Sequence, residues 1–223
     1  MAWRPSSLRK REAVLAAAEE AFLGAGYDAV TMDDIARAAG VSKQTLYSHF
    51  GTKDQLFVAL VTAMTSSTAD SVDAGSTASG WASQALEEHL VQDLVQDLEE
   101  HLVGLLTRQL DAVLQPRILK LRRLVIGEVA RFPELARAVY EHGPRRAIDT
   151  LTATLAEARS RGVLQVPDPR GSAIQLNWLV MGEPVNRAMF LGDEAVPAVP
   201  ERAAHVGAAV RTFVRAHRPG HIG

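Results

Sequence analysis

The sequence contains no cysteine, which excludes disulfide frameworks, thiolate-held zinc, iron–sulfur clusters and thiol nucleophiles. Aromatic residues make up only 5% of its 223 residues, so each one on an apolar stretch stands out. No apolar run reaches the roughly eighteen residues of a membrane span. The start, Met1 to Arg11, carries charge without an apolar stretch and a small-residue cleavage site, so no export signal is expected and a cytoplasmic protein is. Neither sign of charge prevails: 24 Lys and Arg stand against 26 Asp and Glu, for a net charge of -2. That near-neutral total leaves nucleic-acid binding open, because a binding face needs only local positive charge.

Catalytic signatures are also missing. There is no Glu-x-x-His pair, no His-Glu-x-x-His, no Gly-x-Ser-x-Gly, no phosphate-binding Walker loop and no dinucleotide fingerprint. The chain is therefore read as a non-enzyme without cofactor or metal. His89 and His101 adjoin Glu pairs and are read as solvated side chains rather than ligands.

What is present is helical periodicity. Apolar residues recur at helical spacing almost throughout, and no stretch alternates apolar and polar residues between hairpin dipeptides. The expectation is an all-α protein of about nine segments, near 7–24, 32–39, 43–49, 53–73, 81–114, 117–131, 133–162, 170–191 and 199–216. The small, polar stretch 74–80 separates two helices, Gly143-Pro144 should bend or break the seventh segment, and 162–171 reads as a turn. Leucines at every fourth position from Leu86 to Leu114 overshoot the helical turn by ~40° each, so the stripe winds and must meet different neighbours. The repeat Val91-Gln92-Asp93-Leu94, Val95-Gln96-Asp97-Leu98 reads as a duplication within a solvent-facing helix.

The most informative stretch runs from Thr31 to Phe50. Thr31 is suited to cap a helix whose first turn holds Asp33 and Asp34, Gly40 to end it, and Ser42 to cap the next helix after a minimal turn. Two short helices joined so tightly must cross steeply, as in a helix-turn-helix. The second presents Lys43, Gln44, Thr45, Tyr47 and Ser48, all hydrogen-bond formers. Between Ile35 and Lys53 the chain holds Arg37, Lys43, His49 and Lys53 but no Asp or Glu. A helix of about 7 residues is ~10 Å long and fits a major groove ~12 Å wide. Thr52 and Gln55 form a capping box for the following helix.

These residues, from Met32 through Leu56 and preceded by Ala21 to Tyr27, resemble the N-terminal signature of the TetR/AcrR family of transcriptional regulators. The stretch Arg123 to Pro144 resembles the C-terminal domain of its AefR-like subgroup. The resemblance implies a helix-turn-helix domain over residues 1–53 and a ligand-sensing, dimerising domain over 54–223. It implies base-facing positions at Lys43, Gln44, Thr45 and Ser48, and phosphate contacts at Thr31, Ser42, Tyr47, His49 and Lys53. Asp33 stands where some members carry a basic residue. Segments 170–191 and 199–216 would form the intermolecular four-helix bundle of a homodimer that reads a palindromic operator in double-stranded DNA. A small, largely apolar effector would release the DNA, and the residues singled out for its pocket are Trp81, Arg122, Phe132, Tyr140, Asn177, Trp178 and Met181. The expected function is a ligand-responsive repressor. An architectural DNA binder without effector control and a helical carrier or enzyme are the alternatives.

Overall fold

The computed structural model describes residues 5–73 and 91–220. The stretch 74–80, Trp81, Leu86, His89 and the first part of the 81–114 segment lie outside the described residues. Among the described residues the chain is all helical: α1 (Pro5–Ala25), α2 (Met32–Ala38), α3 (Lys43–Phe50), α4 (Lys53–Asp73), α5 (Val91–Val113), α6 (Pro116–Gly127), α7 (Pro133–Tyr140), α8 (Arg146–Ser160), α9 (Pro169–Leu191) and α10 (Val199–Ala216). The ten helices correspond to the nine expected segments with the seventh divided. A π-helical turn, Glu141–Arg145, carries Pro144 and separates α7 from α8, as the missing N–H of proline predicts.

The chain forms two compact units, one of Met1–Ser67 with Lys120–Tyr140 and the other of Thr68–Leu119 with Glu141–Gly223. In the first, Val14, Ala18 and Phe22 of α1 pack with Ile35, Leu46 and Phe50 of the short helices, with Leu56, Phe57 and Leu60 of α4, and with Leu121, Val125, Phe132 and Leu135. In the second, the leucine stripe of α5 stays buried from Leu98 to Leu114, packed with Leu151 and Leu155 of α8, Leu176 and Val180 of α9 and Val206, Val210 and Phe213 of α10. A winding stripe can remain buried because several helices surround it. Each fully buried leucine contributes about 2 kcal/mol. The repeat is amphipathic rather than wholly solvent-facing: Val95 and Leu98 are buried, while exposed Gln96 bonds Glu100 at 3.1 Å.

Helix α9 contains Pro184 in its interior and nevertheless continues to Leu191. Proline lacks the N–H that would bond the carbonyl four residues earlier, that of Val180. His205 of α10 supplies the missing donor, its Nε2 lying 2.9 Å from the Val180 carbonyl oxygen. Because a carbonyl only accepts, the imidazole carries its proton on Nε2. Asp111 of α5 and Arg202 of α10 add a second cross-tie at 2.7 Å.

Candidate nucleic-acid interface

The two short helices are set by their caps. Thr31 has extended backbone, and its Oγ1 accepts the Asp34 N–H at 3.2 Å while donating to the Asp34 carboxylate. That hydroxyl, followed by Arg37, holds the Asp34 carboxyl below the ordinary aspartate range. At the other end Gly40 takes φ +64°. Gly40 N–H bonds Arg37 O at 3.2 Å and Val41 N–H bonds Ala36 O at 3.1 Å. This closure satisfies two end carbonyls and needs a residue at ease in the left-handed region. One residue later Ser42 caps α3, its Oγ accepting the Thr45 N–H at 3.2 Å.

Helix α3 buries Leu46 and Phe50 and turns Lys43, Gln44, Tyr47 and Ser48 to solvent. Tyr47 is 49% exposed, a large ring left partly in water. Thr45 and His49 are half-buried. Thr45 meets the Ser42 hydroxyl at 2.8 Å, and Ser48 donates to the Thr45 carbonyl at 2.8 Å. The free N–H groups of the first turn of α3 and the positive end of its dipole lie beside Lys43 and Gln44.

Two lysines are already engaged. Lys43 forms an ion pair with Asp33 of α2, which pushes the lysine above its ordinary value through the hydrogen bond first and the charge second. The stretch without acids between Ile35 and Lys53 therefore does not give an acid-free face, because Asp33 lies just before it and the fold carries it to α3. Lys53 donates to the Asp28 carbonyl at 3.3 Å and sits 4.4 Å from the centre of the Tyr27 ring. The Thr52–Gln55 capping box forms at 3.0 and 3.2 Å.

The sequence reading missed the cluster around Tyr27. Its hydroxyl donates to Asp54. Arg131 pairs with Asp54 at 3.3 Å and Asp28 at 3.5 Å, and its guanidinium lies 4.6 Å from the Tyr27 ring. No local pattern could have shown this, since the partners are far apart in the chain.

The residues singled out for an effector are distributed. Trp81 is outside the described residues. Phe132 belongs to the core of the first unit, its ring 5.2 Å from Tyr27 and 5.3 Å from Phe57. Packing accounts for it without a ligand. Tyr140, in the same unit, is exposed. Arg122 on α6 is partly shielded, and burial pulls its guanidinium below the ordinary arginine value. In the second unit, Asn177 and Met181 are half-buried on α9 and Trp178 is exposed. That unit also holds a residue not foreseen: Gln109 of α5 is buried, and its Oε1 has no hydrogen-bond partner.

Among the described residues no helix is long and apolar enough to cross a membrane. No group of three or more His, Asp or Glu side chains among them is placed to hold a metal ion.

Residues 14–60 match the family described as bacterial regulatory proteins, tetR family. Residues 100–219 match the AefR-like transcriptional repressor, C-terminal domain. A TetR-family transcriptional regulator from Mesorhizobium loti is 32% identical, with a TM-score of 0.78 over 96% of this chain and 100% of that one. The flavonoid-responsive regulator FrrA is 30% identical, with a TM-score of 0.66 over 95% of this chain and 98% of that one. The transcriptional activator FasR of Mycolicibacterium smegmatis is 48% identical over 52 residues, 23% of this chain and 24% of FasR. The chain thus spans less than a third of the length of the curated relatives it matches.

Proposed function

The chain belongs to the TetR family of bacterial transcriptional regulators, and on that premise we propose that it is a homodimeric repressor, released from a palindromic operator by a small, largely apolar molecule. DNA-binding regulation is common to the family. The observation that carries the present reading is the face of α3, where Lys43, Gln44, Tyr47 and Ser48 are exposed beside a helix start capped by Ser42. Lys43, Gln44, Thr45 and Ser48 are assigned to base edges, and Thr31, Ser42, Tyr47, His49 and Lys53 to the backbone. Lysine and glutamine favour guanine and adenine acceptors in the major groove.

The assembly is assigned to α9 and α10 of two copies. Trp178, Leu179, Phe190 and Leu191 leave α9 with apolar surface in water, which a second copy would cover. Two-fold symmetry then presents the two α3 helices to successive major grooves, about 34–36 Å apart, and demands a palindrome.

Effector control is assigned to the second unit, where half-buried Asn177 of α9 and buried Gln109 of α5 supply polar groups on helices whose inward side chains, Met181 among them, are otherwise apolar. A buried amide oxygen without a donor carries a desolvation cost that a hydrogen-bonding ligand would offset. For release, the effector must bind the DNA-incompetent state more tightly, and DNA must weaken the effector by the same factor. Repression is favoured over activation because the AefR-like repressor pattern spans 100–219, whereas the similarity to the activator FasR covers only 52 residues. Such a protein works in the cytoplasm with the chromosome.

Footprinting of the purified protein on the DNA flanking its own gene, across salt concentrations, tests the reading. The expected result is a two-fold-symmetric protected site whose affinity falls linearly on a log–log salt plot. Absence of protection at low salt would overturn it.

A further inference from the structure

We infer that Asp33 is a specificity-determining residue of the DNA interface: its carboxylate holds the Lys43 ammonium off the phosphate backbone and aims it at a G·C base pair. The inference rests on the assignment of α3 to the major groove.

Asp33 and Asp34 both lie in the first turn of α2, where the helix dipole favours carboxylates. Their partners differ. Asp34 is consumed locally by the Thr31 cap and by Arg37 at 3.3 Å. Asp33 instead reaches across the turn to Lys43 at the start of α3. The side chains are 62% and 45% exposed for Lys43 and Asp33, and a pair so wet adds little to fold stability. Its consequence is electrostatic and directional.

A lysine beside a phosphate releases a condensed counterion and binds every sequence alike. A lysine already neutralised by a carboxylate contributes no such net charge. Its ammonium has three donors. With one given to Asp33, the others are fixed in direction and suit the paired O6 and N7 acceptors of guanine. The second carboxylate oxygen of Asp33 can accept from the N4 amine of cytosine, the partner base. The same carboxylate repels phosphate, so binding without the matching base pair is penalised. Attraction lost everywhere becomes discrimination at one position.

The test is selection of duplexes from a randomised pool by wild type, Asp33→Asn, Asp33→Glu, Lys43→Ala and the Asp33→Asn/Lys43→Ala double variant, followed by affinity measurements on the selected duplex and on poly(dA-dT). Asp33→Asn is expected to bind poly(dA-dT) more tightly, with a salt slope steeper by about 0.9, and to lower the ratio of selected to unselected affinity at least ~5-fold. One G·C position should lose its preference in the selected pool. Asp33→Glu should retain most of the ratio. In the Lys43→Ala background Asp33→Asn should lower the ratio distinctly less than it does in wild type. A ratio in Asp33→Asn equal to wild type, or an equal loss with and without Lys43, overturns the role of Asp33 while leaving the DNA-binding reading intact. A wild-type protein that selects no duplex overturns both. Thermal melting of each variant keeps loss of folding apart from loss of discrimination.

Discussion

The hydroxyl of Tyr27 donates to the carboxylate of Asp54, so the turn after α1 is tied to the first turn of α4. Burial, and then Asp54, raises the phenol well above its ordinary value near 10. Lys53 and Arg131 flank the ring at 4.4 and 4.6 Å. Arg131 also pairs with Asp28 and Asp54. Arg131→Ala is expected to destabilise the protein by roughly 1 kcal/mol in urea denaturation, the sum of half-exposed ion pairs and ring contacts. Arg131→Lys should recover less than half, because an ammonium cannot bridge two carboxylates and lie flat on a ring. The raised phenol pKa means the tie is complete below pH ~10 and is lost as pH rises further. Tyr27→Phe should therefore flatten the alkaline limb of the stability curve, and an unchanged limb would refute the account.

His205 makes the proline in α9 tolerable. Removing its Nε2 donor leaves the carbonyl of a fully buried Val180 unsatisfied. His205→Ala should therefore cost ~1–3 kcal/mol, and His205→Gln, with an amide donor of similar reach, distinctly less. In a Pro184→Ala background the backbone N–H returns, so His205→Ala should cost about 1 kcal/mol less than in wild type. A cycle with no coupling would place the cost of His205→Ala in packing alone.

Local rules made the DNA-facing half legible. The caps at Thr31, Ser42 and Thr52, the turn at Gly40 and the break at Gly143-Pro144 all follow from chemistry within a few residues. Pairings between distant segments were not legible. Asp33 lies just before the acid-free stretch, and only the crossing of α2 and α3 brings it to Lys43. Phe132 stands out as a scarce aromatic, yet the rings of Tyr27 after α1 and Phe57 of α4 pack against it. The continuity of α9 through Pro184 depends on a histidine one helix away. The burial of Gln109 comes from tertiary packing, which no local pattern around it reveals.

Burial, followed by the charge of Arg108, lowers the pKa of half-buried His101 on α5 below its ordinary 6.5. For an imidazole this means the unfolded chain takes up the proton first. Its contribution to stability is complete above pH ~6.5 and is lost as pH falls from there through the lower folded value. Melting temperatures between pH 8 and pH 5 should fall more steeply for wild type than for His101→Gln. Parallel curves would show that His101 titrates as it does in the unfolded chain.

Phe190 is 84% exposed near the end of α9, with Leu191 beside it and Trp178 on the same helix. Scattered apolar side chains are ordinary on a surface, but a series along one long helix argues for a partner. In a two-fold interface each substitution acts twice, since the same patch appears on both copies. Phe190→Asp would place two carboxylates in an apolar seam, where they lose hydration without gaining partners. Sedimentation should show wild type as a dimer and Phe190→Asp shifted to monomer, with melting of the isolated chain little changed because this side chain is outside its core. DNA affinity should fall together with the dimer, and the protected site should shrink to a half-site or vanish. If Phe190→Asp and Trp178→Asp both stay dimeric and protect the same two-fold site, the subunits meet elsewhere and the apolar face of α9 has another occupant.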